Sequence, residues 1–160
     1  MEIETPSYWV AVGAHGDQRY ADGTHVDVHL RAVVEILISF NFCAQYWIDA
    51  GWLHDTDEDT AFKVAQTRAR FGDMTADLVW AVTGVGDNRR ERNASIYEKI
   101  AAFPRAAILK TADRIANLRS SKVHSPSLFR MYQKEALAFV PAVRDHIPEE
   151  MLAALVEAHR

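Results

Sequence analysis

Apolar residues between Val26 and Phe40 recur at spacings of three and four, which places them on one face of a helix. This face consists of Val33, Ile36, Leu37 and Phe40, and it also carries His29. Apolar patterning and capping residues indicate further helices in the segments 44–54, 73–84, 104–118, 126–140 and 148–158. No segment shows a convincing alternation of apolar and polar residues, as a half-buried strand would require. The sequence therefore predicts an all-α fold, a compact bundle of about eight to nine helices.

Glycine, proline and small polar residues predict several helix boundaries. Asp59 or Thr60 is expected to cap the helix that follows an acidic segment described below. The run from Gly84 to Arg90 (Gly-Val-Gly-Asp-Asn-Arg-Arg) predicts the clearest loop of the chain, with a short helix over 95–103 behind it. A helix over 104–118 follows, with its proline in the first turn.

Length and composition indicate one globular domain. The 160 residues suit a single domain with a sizeable core, so residues 1–160 are interpreted as one unit. Apolar residues make up 49% of the chain and charged residues 25%, as in most soluble proteins. The net charge of −4 argues against a protein that binds duplex nucleic acid, which usually carries a basic excess. A small phosphorylated ligand remains compatible with this charge.

The sequence also favours a reducing compartment. The N-terminal residues lack the basic and then apolar pattern of a signal peptide, and no apolar run approaches the ~18 residues that span a bilayer. The single cysteine, Cys43, excludes an intramolecular disulfide. We therefore expect a cytoplasmic protein that has no membrane partner.

The segment from Trp52 to Thr60 carries the strongest indication of chemistry. Its sequence, Trp-Leu-His-Asp-Thr-Asp-Glu-Asp-Thr, changes abruptly from apolar residues to a histidine and four carboxylates. The adjacent His54 and Asp55 offer nitrogen and oxygen ligands of the kind that bind Mn, Fe or Zn. The crowded carboxylates repel one another unless a cation or protons neutralise them. An acidic, solvated turn is the alternative interpretation.

Two further residues are candidates for the same metal site. His29 lies on the inward face of its predicted helix, where a hydrogen-bonded core histidine is the alternative. Asp113 lies on a mostly apolar helix, where an unpaired carboxylate would bear a desolvation cost. A salt bridge to Lys110 or Arg114 is the alternative for Asp113. Spacing alone does not show that the three segments meet.

The order of these residues, a histidine, a His-Asp pair and an aspartate, resembles the ligand set of HD-domain metal phosphohydrolases. The likeness is closest to the hydrolase domain of RelA/SpoT proteins and to the stand-alone small alarmone hydrolases of the metazoan SpoT homologue type. It rests on the segments 16–24 (Gly-Asp-Gln-Arg-Tyr-Ala-Asp-Gly-Thr), 53–60 (Leu-His-Asp-Thr-Asp-Glu-Asp-Thr) and 109–118 (Leu-Lys-Thr-Ala-Asp-Arg-Ile-Ala-Asn-Leu). The likeness extends over about residues 15–139 and implies an HD-domain fold.

The resemblance implies a metal ion and a pair of catalytic carboxylates. In the alarmone hydrolases the matching ligands hold one Mn²⁺, and here they are His29, His54, Asp55 and Asp113. Fe²⁺, Co²⁺ and Zn²⁺ also suit a set of two histidines and two aspartates. The Glu-Asp pair after the His-Asp motif implies that Glu58 and Asp59 activate or place the attacking water.

Residues expected to bind the substrate follow from the resemblance and from local charge. The positions that match the nucleotide pocket of relatives are Arg19, Tyr20, Lys110, Asn117 and Tyr132. For Tyr132, helix packing is the alternative role. Arg89, Arg90 and Arg92 can bind a pyrophosphate bidentately beside a metal site, although a solvated surface is the alternative for them.

Two departures from the RelA/SpoT pattern fall on the side expected to recognise the base. The long relatives typically read Gln-x-Arg before a Gly-x-Pro-Tyr segment, whereas this chain has Gln18-Arg19-Tyr20 and then His25-Val26. These differences bear on guanine preference rather than on hydrolysis, because the metal and Glu-Asp positions are intact.

The predicted activity is Mn²⁺-dependent hydrolysis of the guanosine alarmone (p)ppGpp to GDP or GTP and pyrophosphate. One alternative keeps the site and changes the substrate to ppApp, a modified tRNA 3′-end, a nucleoside monophosphate or NADPH, with a role as antitoxin to a small alarmone synthetase. A non-catalytic nucleotide-binding module is the alternative from another class. The expected partner is a small phosphorylated nucleotide. The apolar face of the last helix can bury internally or against a second copy, so a homo-oligomer stays open.

Overall fold

Helices make up nearly all the regular structure of residues 3–20 and 23–160, the part of the chain that the computed structural model describes. In chain order they are α1 (Pro6–His15), α2 (Val26–Ser39), α3 (Gln45–Leu53), α4 (Thr56–Asp59), α5 (Val64–Phe71), α6 (Asp73–Val82), α7 (Arg89–Ala102), α8 (Ala106–His124), α9 (Pro126–Val143), a short 3₁₀ helix (Arg144–His146) and α10 (Glu149–Ala158). Nine of the α-helices have eight or more residues, and α4 is a single turn. The prediction of an all-α bundle is therefore confirmed.

Helix α8 lies at the centre of the bundle. It contacts α2, α3, α6, α9 and α10, and its large apolar residues Leu109, Ile115 and Leu118 are fully buried. Alanines between them keep parts of the helix surface small, which allows neighbouring helices to approach closely. Asp113 and Arg114 are also buried on this helix. The central helix therefore carries charge into the interior, where it must be paired.

The packing of α2 against α3 brings two of the predicted ligands together. Leu30 and Val33 on α2 and Leu53 on α3 are fully buried in the shared apolar core. Trp52 anchors α3 further, because its indole N–H donates to the carbonyl of Ile3 over 2.8 Å. The end of α3 is thereby fixed beside the first turns of α2.

Two predicted helix starts are wrong because backbone capping was misjudged. Helix α5 is not capped by Asp59 or Thr60: its N-cap is Lys63, whose backbone N–H donates to the Gln66 side chain. Helix α7 begins at Arg89 rather than near residue 95, because the Asn88 side chain accepts a hydrogen bond from the Glu91 N–H. The predicted loop therefore ends before its two arginines.

Two other helices were missed or shortened. Helix α1 was not predicted. Helix α8 continues to His124, six residues beyond the predicted end at Leu118, because its last turns are polar and carry no apolar stripe. In the residues described, no helix is both long and apolar enough to cross a bilayer.

The last helix buries part of its apolar face inside the chain. Met151 and Leu155 are fully buried, and α10 packs on α8. Val156 lies on the other side of the helix and is 42% exposed. The apolar side chains of Met151 and Leu155 are therefore buried within the chain itself.

Helices α2 and α3 approach each other closely at Gly51. A Cβ atom at this position would lie 2.8 Å from Val34 Cγ2 and 3.1 Å from Leu37 Cδ1. We expect Gly51→Ala to lower the free energy of unfolding by about 1–3 kcal/mol, because overpacking pushes the two helices apart. Urea unfolding followed by far-UV circular dichroism measures this change.

Gly13→Ala in α1 is the matched control, since a Cβ there meets no atom within 4 Å. Alanine is a better helix former than glycine by about 1 kcal/mol, so this variant should unfold at the same or a higher urea concentration than the wild type. Equal unfolding midpoints for the two alanine variants would contradict the close approach at Gly51.

Candidate metal centre and substrate cleft

The four predicted metal ligands converge on one point. The Nε2 atoms of His29 and His54 lie 3.2 Å apart. Asp113 Oδ1 lies 3.1 Å from His29 Nε2 and 3.7 Å from His54 Nε2. Asp55 Oδ1 lies 3.3 Å from His54 Nε2. Segments that are far apart in sequence therefore supply a compact group of two imidazoles and two carboxylates.

Helices α2 and α8 and the junction between α3 and α4 position these ligands. His29 projects from the second turn of α2, and Asp113 lies midway along α8. His54 follows the last residue of α3, and Asp55 precedes α4, so the chain leaves the helical path between them. His54 Nδ1 lies 2.9 Å from the carbonyl oxygen of Gly51. Because a carbonyl only accepts, Nδ1 donates this hydrogen bond, and Nε2 is the ring nitrogen that faces the other predicted ligands.

The spacing of the ligand atoms fits a divalent cation. Atoms about 2.1 Å from a shared ion lie about 3.0 Å apart at octahedral angles and about 3.4 Å apart at tetrahedral angles. The separations of 3.2 Å between the imidazoles and 3.1 Å between His29 and Asp113 fall in this range. His29, His54 and Asp55 also offer ligand atoms that lie within 4.8 Å of one another. Nitrogen and carboxylate donors suit Mn²⁺, Fe²⁺, Co²⁺ and Zn²⁺.

Asp113 is held by its neighbours on α8. Lys110 Nζ lies 2.8 Å from Asp113 Oδ2, and the Asn117 amide donates to Oδ1 over 2.6 Å. Burial raises the pKa of Asp113, but the Lys110 ammonium, together with the hydrogen bonds from His29 and His54, outweighs burial and holds the pKa well below its usual range. The carboxylate is thus kept ionised. Lys110 and Asn117, which were predicted to bind substrate, here hold the carboxylate of Asp113, a predicted metal ligand.

Glu58 and Asp59 lie at the rim of the same cleft. The carboxylate of Glu58 accepts a hydrogen bond from the backbone N–H of Gly84, in the loop before α7. Partial desolvation raises the pKa of Glu58. Desolvation and the charge of Asp55 likewise raise the pKa of Asp59. Carboxylates with raised pKa values are better able to take up a proton near neutral pH.

The cleft consists of two adjoining pockets. A polar pocket of about 170 Å³ lies over the ligand cluster and includes Asp55, Glu58, Asp59 and Lys110 in its walls. A more apolar pocket of about 290 Å³ includes Val28, Ala32, Ala116 and Leu128. Four residues line both pockets: Tyr20, Arg89, Asn117 and Tyr132. A ligand with an anionic part and an apolar, ring-like part would match this division.

Tyr20 contacts the ligand cluster directly. Its hydroxyl donates to Asp55 Oδ2, and its ring lies 4.7 Å from the His29 ring. Burial and the charge of Asp55 raise the pKa of Tyr20, so the phenol stays protonated and remains a donor. Ala21 and Asp22, which belong to the segment used for the resemblance, lie outside the described residues.

Two predicted substrate-binding arginines do not line these pockets. Arg19 is exposed and donates to the carbonyl of Gly23 over 3.1 Å. Arg90 is also exposed and lines a separate groove between α7 and α9, beside Tyr97 and Ala138. Arg89, in contrast, reaches both pockets.

Sequence reasoning missed two polar residues that line the polar pocket, Asn93 and Arg114. Arg92 and Asn93 lie three and four positions after Arg89, so a helix starting at Arg89 would have grouped them on its face. Arg114 was considered only as a partner for Asp113. It instead pairs with Glu135 on α9 over 2.8 Å, a contact between distant segments that no local pattern indicates.

A profile of the HD domain family matches residues 8–139 of this chain. A probable guanosine-3′,5′-bis(diphosphate) 3′-pyrophosphohydrolase of Synechocystis is 30% identical over 137 residues, which make up 81% of this chain and 18% of that protein. A guanosine-3′,5′-bis(diphosphate) 3′-pyrophosphohydrolase of Aquifex aeolicus is also 30% identical, over 82% of this chain and 19% of that protein. A GTP pyrophosphokinase of Streptomyces coelicolor is 32% identical over 72% of this chain and 14% of its own length.

The chain thus spans less than a fifth of the length of these three relatives. Among solved structures, a metazoan orthologue of SpoT that hydrolyses ppGpp superposes with a TM-score of 0.83. It is 25% identical, and the match covers 99% of this chain and 94% of that protein. The expected resemblance is confirmed: this chain belongs to the HD-domain family.

Proposed function

We propose that this protein is a metal-dependent phosphohydrolase that converts (p)ppGpp to GDP or GTP and pyrophosphate. The observation that carries the proposal is the convergence of two histidines and two aspartates on the floor of a cleft whose walls carry arginines and two carboxylates with raised pKa values. The adjoining apolar pocket has room for a nucleoside. A substrate with several phosphates and one base matches both halves of the cleft.

Hydrolysis is favoured over pyrophosphate transfer to GTP. The long relatives include proteins named for either reaction, and each is matched over a small part of its length. The metazoan SpoT orthologue is matched over 94% of its length and hydrolyses ppGpp. A hydrolase that shares this fold over nearly its whole length therefore supports the hydrolytic activity.

In the proposed site, His29, His54, Asp55 and Asp113 hold one Mn²⁺. A divalent cation in this position would lower the pKa of a bound water and would neutralise charge on phosphoryl oxygens. The fit rests on the ligand spacing and on the protonated Nδ1 of His54, and it extends to Fe²⁺, Co²⁺ and Zn²⁺.

The other residues of the cleft receive complementary roles. Glu58 and Asp59 take up the proton of the attacking water, since both carboxylates lie at the rim beside Asp55 and have raised pKa values. Arg89 binds the phosphates, because it lines both pockets and carries a permanent positive charge. Tyr20 and Tyr132 flank the passage between the pockets and orient the nucleotide.

Metal binding should stabilise the fold. With free Mn²⁺ at about 100 times its dissociation constant, we expect the free energy of unfolding to rise by about 2.7 kcal/mol, and a chelator should reverse the gain. Asp55→Asn should abolish most of it, since the variant loses a charged ligand. Asp57→Asn is the matched control, because Asp57 accepts from the Val64 N–H outside the cluster. Thermal unfolding with and without Mn²⁺ measures both variants, and equal gains in the two would contradict the ligand assignment.

Glu58→Gln separates catalysis from metal binding. The amide keeps the size of the side chain but cannot take up a proton, so kcat for ppGpp should fall by about 10²–10⁴-fold. The stabilisation by Mn²⁺ should remain as in the wild type. Glu98→Gln, an exposed change on α7, provides the control with unchanged kcat. Retention of more than a third of the wild-type kcat by Glu58→Gln would exclude Glu58 as the base.

A substrate panel tests the base and the phosphates. The panel contains ppGpp, pppGpp, ppApp, nucleoside monophosphates, NADPH and a tRNA with a modified 3′-end, each with Mn²⁺ and with chelator. We expect pyrophosphate release from ppGpp or pppGpp to be faster than the release of phosphate or pyrophosphate from any other member. A nucleotide with a 3′-pyrophosphate and a purine matches both pockets, and the named relatives act on guanosine nucleotides. Faster release from another member would retain the hydrolytic site and overturn the guanosine assignment.

A further inference from the structure

Glu135 on α9 joins two arginines that come from different helices. Its Oε1 accepts hydrogen bonds from Arg89 Nε over 2.6 Å and from the Asn93 amide over 3.2 Å. Its Oε2 accepts from Arg89 Nη2 over 3.1 Å and from Arg114 Nη1 over 2.8 Å. Arg89 is thus bound through two parallel N–H groups, the geometry in which a guanidinium is held most rigidly. Glu135 itself lies behind the polar pocket, in the outer groove between α7 and α9.

The Tyr132 ring completes this arrangement from the side of the cleft. The guanidinium carbons of Arg89 and Arg114 lie 5.3 Å and 4.8 Å from its centroid. Arg114 is also 4.4 Å from the Phe139 ring, and its side chain is only 3% exposed. Cation–π contact and an ionic hydrogen bond together restrict both guanidiniums to one orientation.

The charges in this group do not cancel. One carboxylate faces two guanidiniums, and the arginine side chains keep Glu135 ionised by lowering its pKa against the effect of burial. Both arginines line the polar pocket, where Lys110 is already paired with Asp113. The excess positive charge of the group is therefore directed at the pocket.

We propose that Glu135 is a positioning residue: it holds Arg89 and Arg114 in place to bind the pyrophosphate portion of an anionic nucleotide. The inference rests on the proposed function for the identity of the substrate. It extends that function to a residue that does not line either pocket. Binding energy is gained because the two guanidiniums are oriented before the ligand arrives, which reduces the entropy lost on binding.

A purely structural role makes a different prediction. Glu135 also links α7, α8 and α9, so its loss could lower stability without any effect on binding. Glu135→Gln distinguishes the two roles. The amide has the same shape as the carboxylate, but its NH₂ group is a donor. It therefore faces a guanidinium N–H without forming a hydrogen bond, and the ionic attraction is lost. We expect KM for ppGpp to rise about tenfold with kcat within about twofold, because the metal ligands and Glu58 are untouched.

Binding of inorganic pyrophosphate provides a readout that does not depend on turnover. Titration calorimetry in Mn²⁺ buffer, corrected by a titration without protein, should show about tenfold weaker binding to Glu135→Gln than to the wild type. Asp77→Asn is the matched control, since Asp77 pairs with Arg68 at an exposed site over 2.6 Å. It should bind pyrophosphate as the wild type does.

A double-mutant cycle tests whether Glu135 acts through Arg89. In an Arg89→Gln background, adding Glu135→Gln should weaken pyrophosphate binding by less than about threefold. Independent, multiplicative effects of the two changes would overturn the inference, as would wild-type affinity in Glu135→Gln. If Glu135→Gln fails to fold in thermal unfolding, Glu135→Asp takes its place, with weaker pyrophosphate binding expected because the shorter side chain cannot reach both arginines.

The two proposals can fail separately. Wild-type protein that binds pyrophosphate but leaves ppGpp intact would overturn the proposed substrate, and the weakening in Glu135→Gln would still support the positioning role. Wild-type protein that hydrolyses ppGpp, with unchanged affinity and KM in a folded Glu135→Gln, would overturn the positioning role alone. Absence of pyrophosphate binding in the wild type would also overturn it.

Discussion

The buried carboxylate of Asp113 is the constraint on which the rest of the site depends. A charge in the interior is tolerated only when it is paired, and Asp113 lies on the central helix of the bundle. Lys110 and Asn117, one turn to either side, satisfy its two oxygens within α8. His29 and His54 then approach the same carboxylate from α2 and α3. The registers of three helices are thus linked through one side chain.

Local patterns predicted the parts of this arrangement that depend on neighbours in sequence. The apolar spacing in α2 predicted that His29 faces inward. The abrupt end of α3 indicated that His54 and Asp55 face one point. The start of α7 was missed because the arginine-rich segment 89–92 has no apolar period and resembles a loop. The choice between Lys110 and Arg114 as partner of Asp113 was also open. Arg114 pairs with Glu135 instead of Asp113, and Glu135 reaches Arg114 only through the packing of α9 on α8.

Net charge predicts little about the potential inside the cleft. The whole chain carries −4, yet Arg89, Arg92 and Arg114 all line the polar pocket. Charges that converge in a concave site act on a ligand more strongly than charges spread over the surface. An acidic protein can therefore bind a polyphosphate, provided that a few cations are held in place. Some of the acidic side chains that lower the net charge, Asp55, Glu58 and Asp59, line the same pocket, where a metal would neutralise part of their charge.

The positions that carry the chemistry and the positions that carry the stability are largely separate. Leu109, Ile115 and Leu118 bury the apolar surface of α8, whereas the ligand cluster adds charges that cost free energy to bury. An isosteric change at Asp55 should therefore leave the fold intact, whereas a change at Asp113 would leave the Lys110 ammonium without its partner. Glu135 differs, because its hydrogen bonds join three helices while its arginines face the cleft. At such a position stability and binding change together, and only a ligand-binding measurement combined with a mutant cycle separates them.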